Sequence, residues 1–516
     1  MKKQRRRIYA ALLCSSMVLS LVSMPVSAAE TGQLTNPPTS TEGPGSPESA
    51  SGNEAAAVLN GLYAALPVAN GVKEVATADE LTDALADSSI SIITLKDDVE
   101  ISSTLTVNRT VTLDLNGNVL KMTGSDSVIK VEADGDLTIQ DRNTTTQHTF
   151  NPHCKYQFWY IDMWELDKDG SEIVSGGVIT GGGGDQNNGG GVLVAGGTLT
   201  MAGGSIVGCS ARSRGGGVYL GKDSDTGKSG TFIMTSGSII GCAAQLGGGV
   251  YVTSGCTFVM ATSSNIHNCI ANNDGGGVIN HGTFQMRGGT ISTCTTVAFG
   301  GGGVCNNGTF IMSDGMIKGC TSPDGQYASG GGVRNSNQFT MTGGMIGDPD
   351  NENDASHVYN TSSQETTLTI SGNAKIYTDI TNVGILNADG GEIAGTMTND
   401  TNRYGTGTIT GSEGAAGSTE FQDKVTNNGT IRKGTFTNEV INESSGTING
   451  GTFTGTITNN DGTVSGGDFS KATLNGMLVI TFDPDNEDQS ITQKVNWSKD
   501  GATLTAPDPV PTKEGH

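Results

Sequence analysis

Six near-copies of one pattern run through the middle of this chain: Gly-Gly-Gly-Val, then Gly-Thr-Phe-x-Met, then Gly-x-Ile-x-x-Cys. The valines are Val192, Val218, Val250, Val278, Val304 and Val333, separated by 26, 32, 28, 26 and 29 residues. Met201, Met234, Met260, Met286, Met312 and Met341 mark the second segment. An isoleucine follows five residues after each methionine, except Ile266, which follows Met260 by six. A period near 26 with short alternating segments and glycine turns predicts a solenoid that stacks strand on strand. In Thr283-Phe284-Gln285-Met286, the two-residue period puts Phe284 and Met286 on one face and Gln285 on the other. Val218 and Leu220 likewise oppose Tyr219, and Ile291 is expected to open a third short strand. The fold class is therefore all-β, a right-handed parallel β-helix.

Capping follows from the flanks. Thr77 and Glu80 have capping-box spacing, with Leu81, Ala84 and Leu85 on one helical face, so a helix is expected over about 78–87. Its apolar face would plug the open N-terminal end of the stack. Strands are predicted at Ile92–Leu95, Leu105–Val107, Val111–Leu115 and Val128–Val131, with a turn at Asn116-Gly117. Past residue 360, Phe436, Phe453 and Phe469 recur at 17 and 16, which predicts smaller coils. The stretch from Asn399 to Thr419 is poor in apolar residues and reads as a loop.

The first 28 residues have the layout of a secretory signal: Lys2, Lys3 and Arg5 to Arg7, an apolar run from Ile8 to Val22, and Val26-Ser27-Ala28 as cleavage site. Its removal takes five basic residues and no acidic ones, which moves the formal net charge from −23 to −28. That balance argues against nucleic acid as a partner. No later run is long and apolar enough for a membrane span. Residues 29–70 are rich in Pro, Thr, Ser, Gly and Glu and read as a disordered linker. The resulting division is signal 1–28, linker 29–70, long-coil β-helix 71–360, shorter coils 361–477 and a distinct segment 478–516. Cys209, Cys242, Cys269, Cys294 and Cys320 share one repeat position. Parallel stacking points their Cβ vectors the same way, so a buried ladder of reduced thiols is expected rather than disulfides.

Residues 75 to about 345, with the opening "TLTVNRTVTLDLNGNVL", resemble the β-helix regions of secreted surface proteins from Gram-positive gut bacteria. The repeats also resemble the Gly-Gly-rich motifs of chlamydial polymorphic outer-membrane proteins, without that family's Phe-x-x-Asn partner. Residues 478–516 resemble the opening of the internalin B-type, or Listeria–Bacteroides, repeat. Ile480-Thr481-Phe482-Asp483 and Pro511-Thr512-Lys513-Glu514-Gly515-His516 match, and the family's following Phe and Gly-Trp are absent. The resemblance implies a longer protein that is attached to the cell surface through a region beyond His516.

Many β-helices cut polysaccharides, which requires clustered carboxylates and basic residues. Arg214, Asp274 and Arg334 are among the few, scattered charges of the repeats, and no paired aspartates fall on successive coils. His281 reads as a solvated turn residue. Asp348, Asp350, Glu352 and Asp354 resemble the start of a calcium loop but lack its central Gly and distal Glu, so a solvated acidic loop is expected. No catalytic residue, metal or cofactor is assigned. An insertion over about 141–173 concentrates aromatics, and Tyr156, Trp159, Tyr160 and Trp164 are the candidate ligand-binding residues, against the alternative that they pack as a local cap. The expected function is a secreted, non-catalytic, adhesin-like stalk or binding surface. Its partner would be a host glycan or protein, or a cell-wall polymer. A β-helix polysaccharide lyase or glycoside hydrolase, and an autotransporter-type passenger, are the alternatives.

Overall fold

The computed structural model describes residues 71–156, 161–183, 188–323, 330–351, 354–361, 366–402, 405–412, 415–482 and 491–496, all within the unit that begins at Pro67. The signal at 1–28 and the linker at 29–70 lie outside them, as does the Pro511–His516 motif.

The repeats close into coils, and the chain is an all-β parallel β-helix. Equivalent residues pair in register from coil to coil. Phe232, Phe258, Phe284, Phe310 and Phe339 align along one row, and Met234, Met260, Met286, Met312 and Met341 along the next. The phenylalanine rings are fully buried and stack with centroids 4.4–4.8 Å apart, the strand spacing itself. Val192, Val218, Val250, Val278, Val304 and Val333 form a second parallel sheet across the core, sheet 2.

The third face differs from the sequence expectation. Ile291 does not open a new strand. It shares the strand Thr283–Ser292 with Phe284 and Met286, in the larger sheet 1, and the register shifts between Met286 and Thr290 where the strand bends. Bending needs glycine: at Gly237, φ is +91° and a Cβ would meet the Gly204 carbonyl of the coil below. The third sheet, sheet 3, is built instead from Ser210–Arg214, Ala243–Leu246, Ile270–Asp274 and Thr295–Thr296, after the cysteine ladder. All five ladder cysteines are free and fully buried. Each thiol donates to a carbonyl of the coil below, as Cys294 does to Ile266 at 3.7 Å.

Helix α1 spans Ala78–Ala86. The Glu80 amide donates to Thr77 Oγ1 at 3.3 Å and Glu80 Oε2 accepts from the Ala76 amide at 2.8 Å, a capping box whose return bond falls one residue before the cap. Leu81 and Ala84 are buried against the first coil and Leu85 partly so. Arg109 secures the other end, donating to the carbonyls of Ala84, Leu85 and Ile90.

Beyond residue 357 the coils shorten and sheet 3 has no counterpart among the described residues. A second stack, Phe421, Phe436, Phe453 and Phe469, now stands on the row that isoleucines occupy in the long coils, since Phe421 pairs with Ile393. The stretch from Asn399 to Thr419 is not a plain loop. Thr408–Thr410 is a coil strand with Ile409 fully buried, and Asn399 and Thr419 are buried as well. One inward isoleucine in register with Leu386 suffices to continue the stack.

The sequence did not announce the column of buried asparagines. Asn280, Asn306, Asn335, Asn360, Asn382, Asn399, Asn427, Asn442 and Asn459 close successive strands of sheet 2, all with at most 1% exposure. From Asn280 to Asn442, each Nδ2 donates to the Oδ1 of the next at 2.7–2.8 Å. The second Nδ2 proton reaches a backbone carbonyl of the following turn, as from Asn306 to Gln338 at 2.9 Å. A primary amide carries two donors and two acceptor sites, so it can satisfy both the column and the turn. The core is thus polar along one edge without leaving the amides unpaired.

Candidate functional site

In each strand of sheet 2, one residue points outward between two inward ones. In register these are Leu193, Tyr219, Tyr251, Ile279, Cys305, Arg334 and Tyr359. An outward row on a solvated sheet should be exposed. Here Tyr251 is 7% exposed, Ile279 2% and Cys305 0%. Residues at the corner between sheets 3 and 2 close over them: Leu246 packs on this cluster, and Arg214, Leu246 and Asp274 occupy one aligned position. Tyr219 and Tyr251 stack at 5.5 Å and 22°, and His281 lies against Tyr251 at 5.5 Å. The Arg214 guanidinium sits 5.4 Å from the Tyr251 ring centre, in cation–π range. His281 is therefore a packed member of an aromatic row, not a solvated turn residue.

The charges that look scattered in sequence converge on the same row. Cys305 Sγ lies 4.0 Å from Asp274 Oδ1 and 3.8 Å from Arg334 Nη1, and accepts from Asn307 at 3.7 Å. Burial, then the Asp274 charge, pushes the Cys305 thiol up to about 11. Burial likewise raises Asp274, with Arg334 opposing. It also raises the phenols of Tyr219, Tyr251 and Tyr359 and lowers His281. At neutral pH the row thus carries neutral aromatic rings with guanidinium groups at Arg214 and Arg334. Arg334 Nε is buried and has no hydrogen-bond partner among the described residues.

Toward the N-terminus the row continues to Lys130, and an open cavity of about 340 Å³ lies on it, lined by Thr106, Asp126, Lys130, Asn188 and Leu193 among others. From Thr106 to Tyr359 the face spans nine strands, roughly 40 Å at the ~4.8 Å strand spacing. The signal available in sequence was the middle residue of each Val-x-Val/Leu/Asn triplet, together with the residue before each glycine turn.

The aromatic insertion forms a separate three-stranded antiparallel sheet, Gln147–Tyr156, Ile161–Leu166 and Glu172–Ser175. Trp164 is 7% exposed and packs with Phe150, Val174, Val207 and Ile240. Its amide donates to the Gly241 carbonyl at 3.0 Å, and side chains at Gly208 or Gly241 would collide with it. Trp164 therefore docks the insertion onto the coils. Tyr156 ends a described strand but its side chain lies outside the described residues, as do Trp159 and Tyr160 entirely.

The acidic segment near 350 is tied to its surroundings. Asp348 pairs with Lys318 at 3.0 Å, and Asp354 accepts from the amides of Gly319 and Ser356. Among the described residues, no three His, Cys, Asp or Glu side chains are grouped to hold a metal ion, and no helix is long and apolar enough to cross a membrane.

The family model described as a pectate lyase-like adhesive domain matches residues 72–181, from just before helix α1 through the first coils and the insertion. No curated protein and no solved structure matches the chain.

Proposed function

We propose that this protein is a secreted, adhesin-like surface protein that binds a linear polymer along the outer face of sheet 2, without cutting it. The observation that carries the reading is the outward row of sheet 2, where Tyr219 and Tyr251 stack beside Arg214, and Arg334 and Tyr359 follow after Ile279 and Cys305. The half-buried rings of Tyr219 and Tyr359 offer apolar contact to sugar rings, and guanidinium groups offer paired donors to hydroxyls or carboxylates. A chain molecule lying parallel to the coil axis would pass one outward residue of this row at each strand. The adhesive description of the matched family agrees with this use. The partner is a host or cell-wall glycan, with an extended protein segment as the other class.

A non-catalytic role rests on the chemistry of the row. Glycoside hydrolysis needs two carboxyl groups about 5–9.5 Å apart across the bond. Asp274 stands among a thiol, an amide and an arginine, and burial favours its neutral form. The test is retention of the secreted chain on immobilised acidic and neutral polysaccharides, with product analysis in parallel. Loss of retention in Tyr251→Ala with Arg214→Ala supports the reading. Unchanged retention, or release of unsaturated or reducing ends that Arg334→Ala abolishes, overturns it.

A further inference from the structure

The insertion leaves a second cleft on the opposite side of the coil. Its volume is about 330 Å³, and its walls are His153, Asp162 and Glu172 of the insertion and Asn268, Thr293 and Thr295 of the coils, with Trp164 at the side. The residue before each ladder cysteine has a left-handed backbone, with φ +59° at Gly208, +58° at Gly241, +55° at Asn268, +51° at Thr293 and +60° at Gly319. Glycine is the residue this conformation favours. At Gly208 and Gly241 the docked Trp164 also forbids a side chain. At Gly319 nothing but Thr293 approaches within 4 Å of a Cβ, yet the residue is still glycine. Side chains replace glycine only at the two coils that border the cleft. Threonine, being β-branched, is a genuine outlier at positive φ. Strain of this kind persists where the surroundings use the side chain.

The two strained residues act together. Thr293 Oγ1 donates to Asn268 Oδ1 at 2.7 Å, and Asn268 Nδ2 lies 3.2 Å from His267 Nδ1. Across the cleft, His153 Nδ1 is 3.9 Å from Asp162 Oδ2. The walls therefore present carboxylates as acceptors on one side and amide and hydroxyl groups on the other, beside an indole edge. Two carboxylates disfavour an anion. The polar lining disfavours an apolar ligand. A compact ligand that donates and accepts through hydroxyl groups fits both walls.

We propose that this cleft is a second binding site, separate from the row on sheet 2, and that it takes one neutral sugar residue of a glycan. The sugar hydroxyls would donate to Glu172, Asp162 and the Thr293 oxygen, whose own proton is held by Asn268, and accept from Thr295.

The test uses the full chain against immobilised neutral oligosaccharides ending in galactose, glucose, mannose, fucose or N-acetylglucosamine, with glucosamine and Nα-acetyl-lysine as amine controls. Three variants are compared: Asn268→Gly with Thr293→Gly, Glu172→Gln, and Tyr251→Ala. The double glycine variant restores the residue the backbone favours. Its melting temperature should hold or rise while binding to the neutral sugar falls at least tenfold. Glu172→Gln, at an exposed position, should weaken binding severalfold without change in melting temperature. Tyr251→Ala should leave this binding intact. The proposal is overturned if no neutral probe binds, if the double glycine variant binds as the parent does, or if the amines bind better than the neutral sugars. If Tyr251→Ala abolishes binding and the glycine variant does not, the sugar lies on sheet 2, and the cleft fails while the polymer site stands.

Discussion

The long coils and the short coils solve one packing problem with different chemistry. A long coil, such as the one that starts at Val250, encloses Val250, Val252, Cys256, Phe258, Met260, Ile266 and Cys269. It is wide enough for three sheets, and its corners carry the side chains of both candidate sites. A short coil, such as the one that starts at Val440, encloses Val440, Ile448 and Phe453, with Asn442 inside. The asparagine column steps by 25–29 residues between Asn280 and Asn360, then by as few as 15–17 between Asn382 and Asn459. With less apolar area to bury per coil, the short half relies more on side-chain hydrogen bonds. The lesson is that a solenoid can change cross-section midway if one column stays in register through the change. Here the asparagine column is continuous across it.

The largest effect expected is at the aromatic stack of the long half. Phe284→Ala should cost about 3–5 kcal/mol, because neighbouring rings cannot close the void. Hydrogen exchange read by mass spectrometry should show the loss in residues 231–318 and little change beyond 420. Equal loss in both halves would mean that they unfold as one unit.

Alkaline pH should separate the halves next. No cysteine follows Cys320, so thiol titration acts on the long half alone. With Cys305 raised from 9.0 to about 11, the folded state keeps a proton that the unfolded state loses. Stability from this group is complete below pH 9 and falls as pH rises toward 11, by roughly 2–3 kcal/mol. Burial pushes Cys269 and Cys294 in the same direction. Denaturant midpoints at pH 8 and 10.5, with Cys305→Ala as control, check this. A stability that is flat over that range, or rises, would refute it. Thiol labelling of the native protein should likewise be slow, and labelling after denaturation without reductant complete.

A smaller loss is expected at Asn399→Ala. It removes the acceptor of Asn382 and the donor to Asn427, both buried, at about 2 kcal/mol in total. Exchange should rise in residues 380–442. No change there would show that the column follows the fold rather than supporting it. Smallest of all is Thr381→Val, on the outward row of the short half, expected within about 0.5 kcal/mol in urea. A larger shift would show that this stretch is covered as the Tyr251 stretch is.

How much of this was legible in sequence depends on which period each residue obeys. Inward rows were legible because Phe284 and Met286 alternate with Gln285 and repeat near 26. Helix α1 was legible from Thr77 and Glu80, whose bonds are local. The third face was misread because Met286 and Ile291 are five apart, which suggests a break, whereas a glycine bend keeps them on one strand. Arg214, Asp274 and Arg334 looked scattered because Arg214 and Asp274 share a repeat position only two coils apart, with Leu246 between them, and Arg334 comes from another; they and His281 meet only when coils stack. The asparagine column was missed for a related reason: asparagine favours turns, and nothing local distinguishes a buried Asn280 from a solvated one.

The two coil lengths also set two lengths of thread. Pulled from its ends, a stack of parallel coils yields one coil at a time, since each is held only by its neighbours. A 15–17-residue coil would release roughly 50 Å of chain and a 26–29-residue coil roughly 90 Å, at about 3.4 Å per extended residue less the coil rise. A tether drawn taut from its C-terminal side would lengthen first in short increments, then in long ones, while the half that carries both candidate sites is still wound.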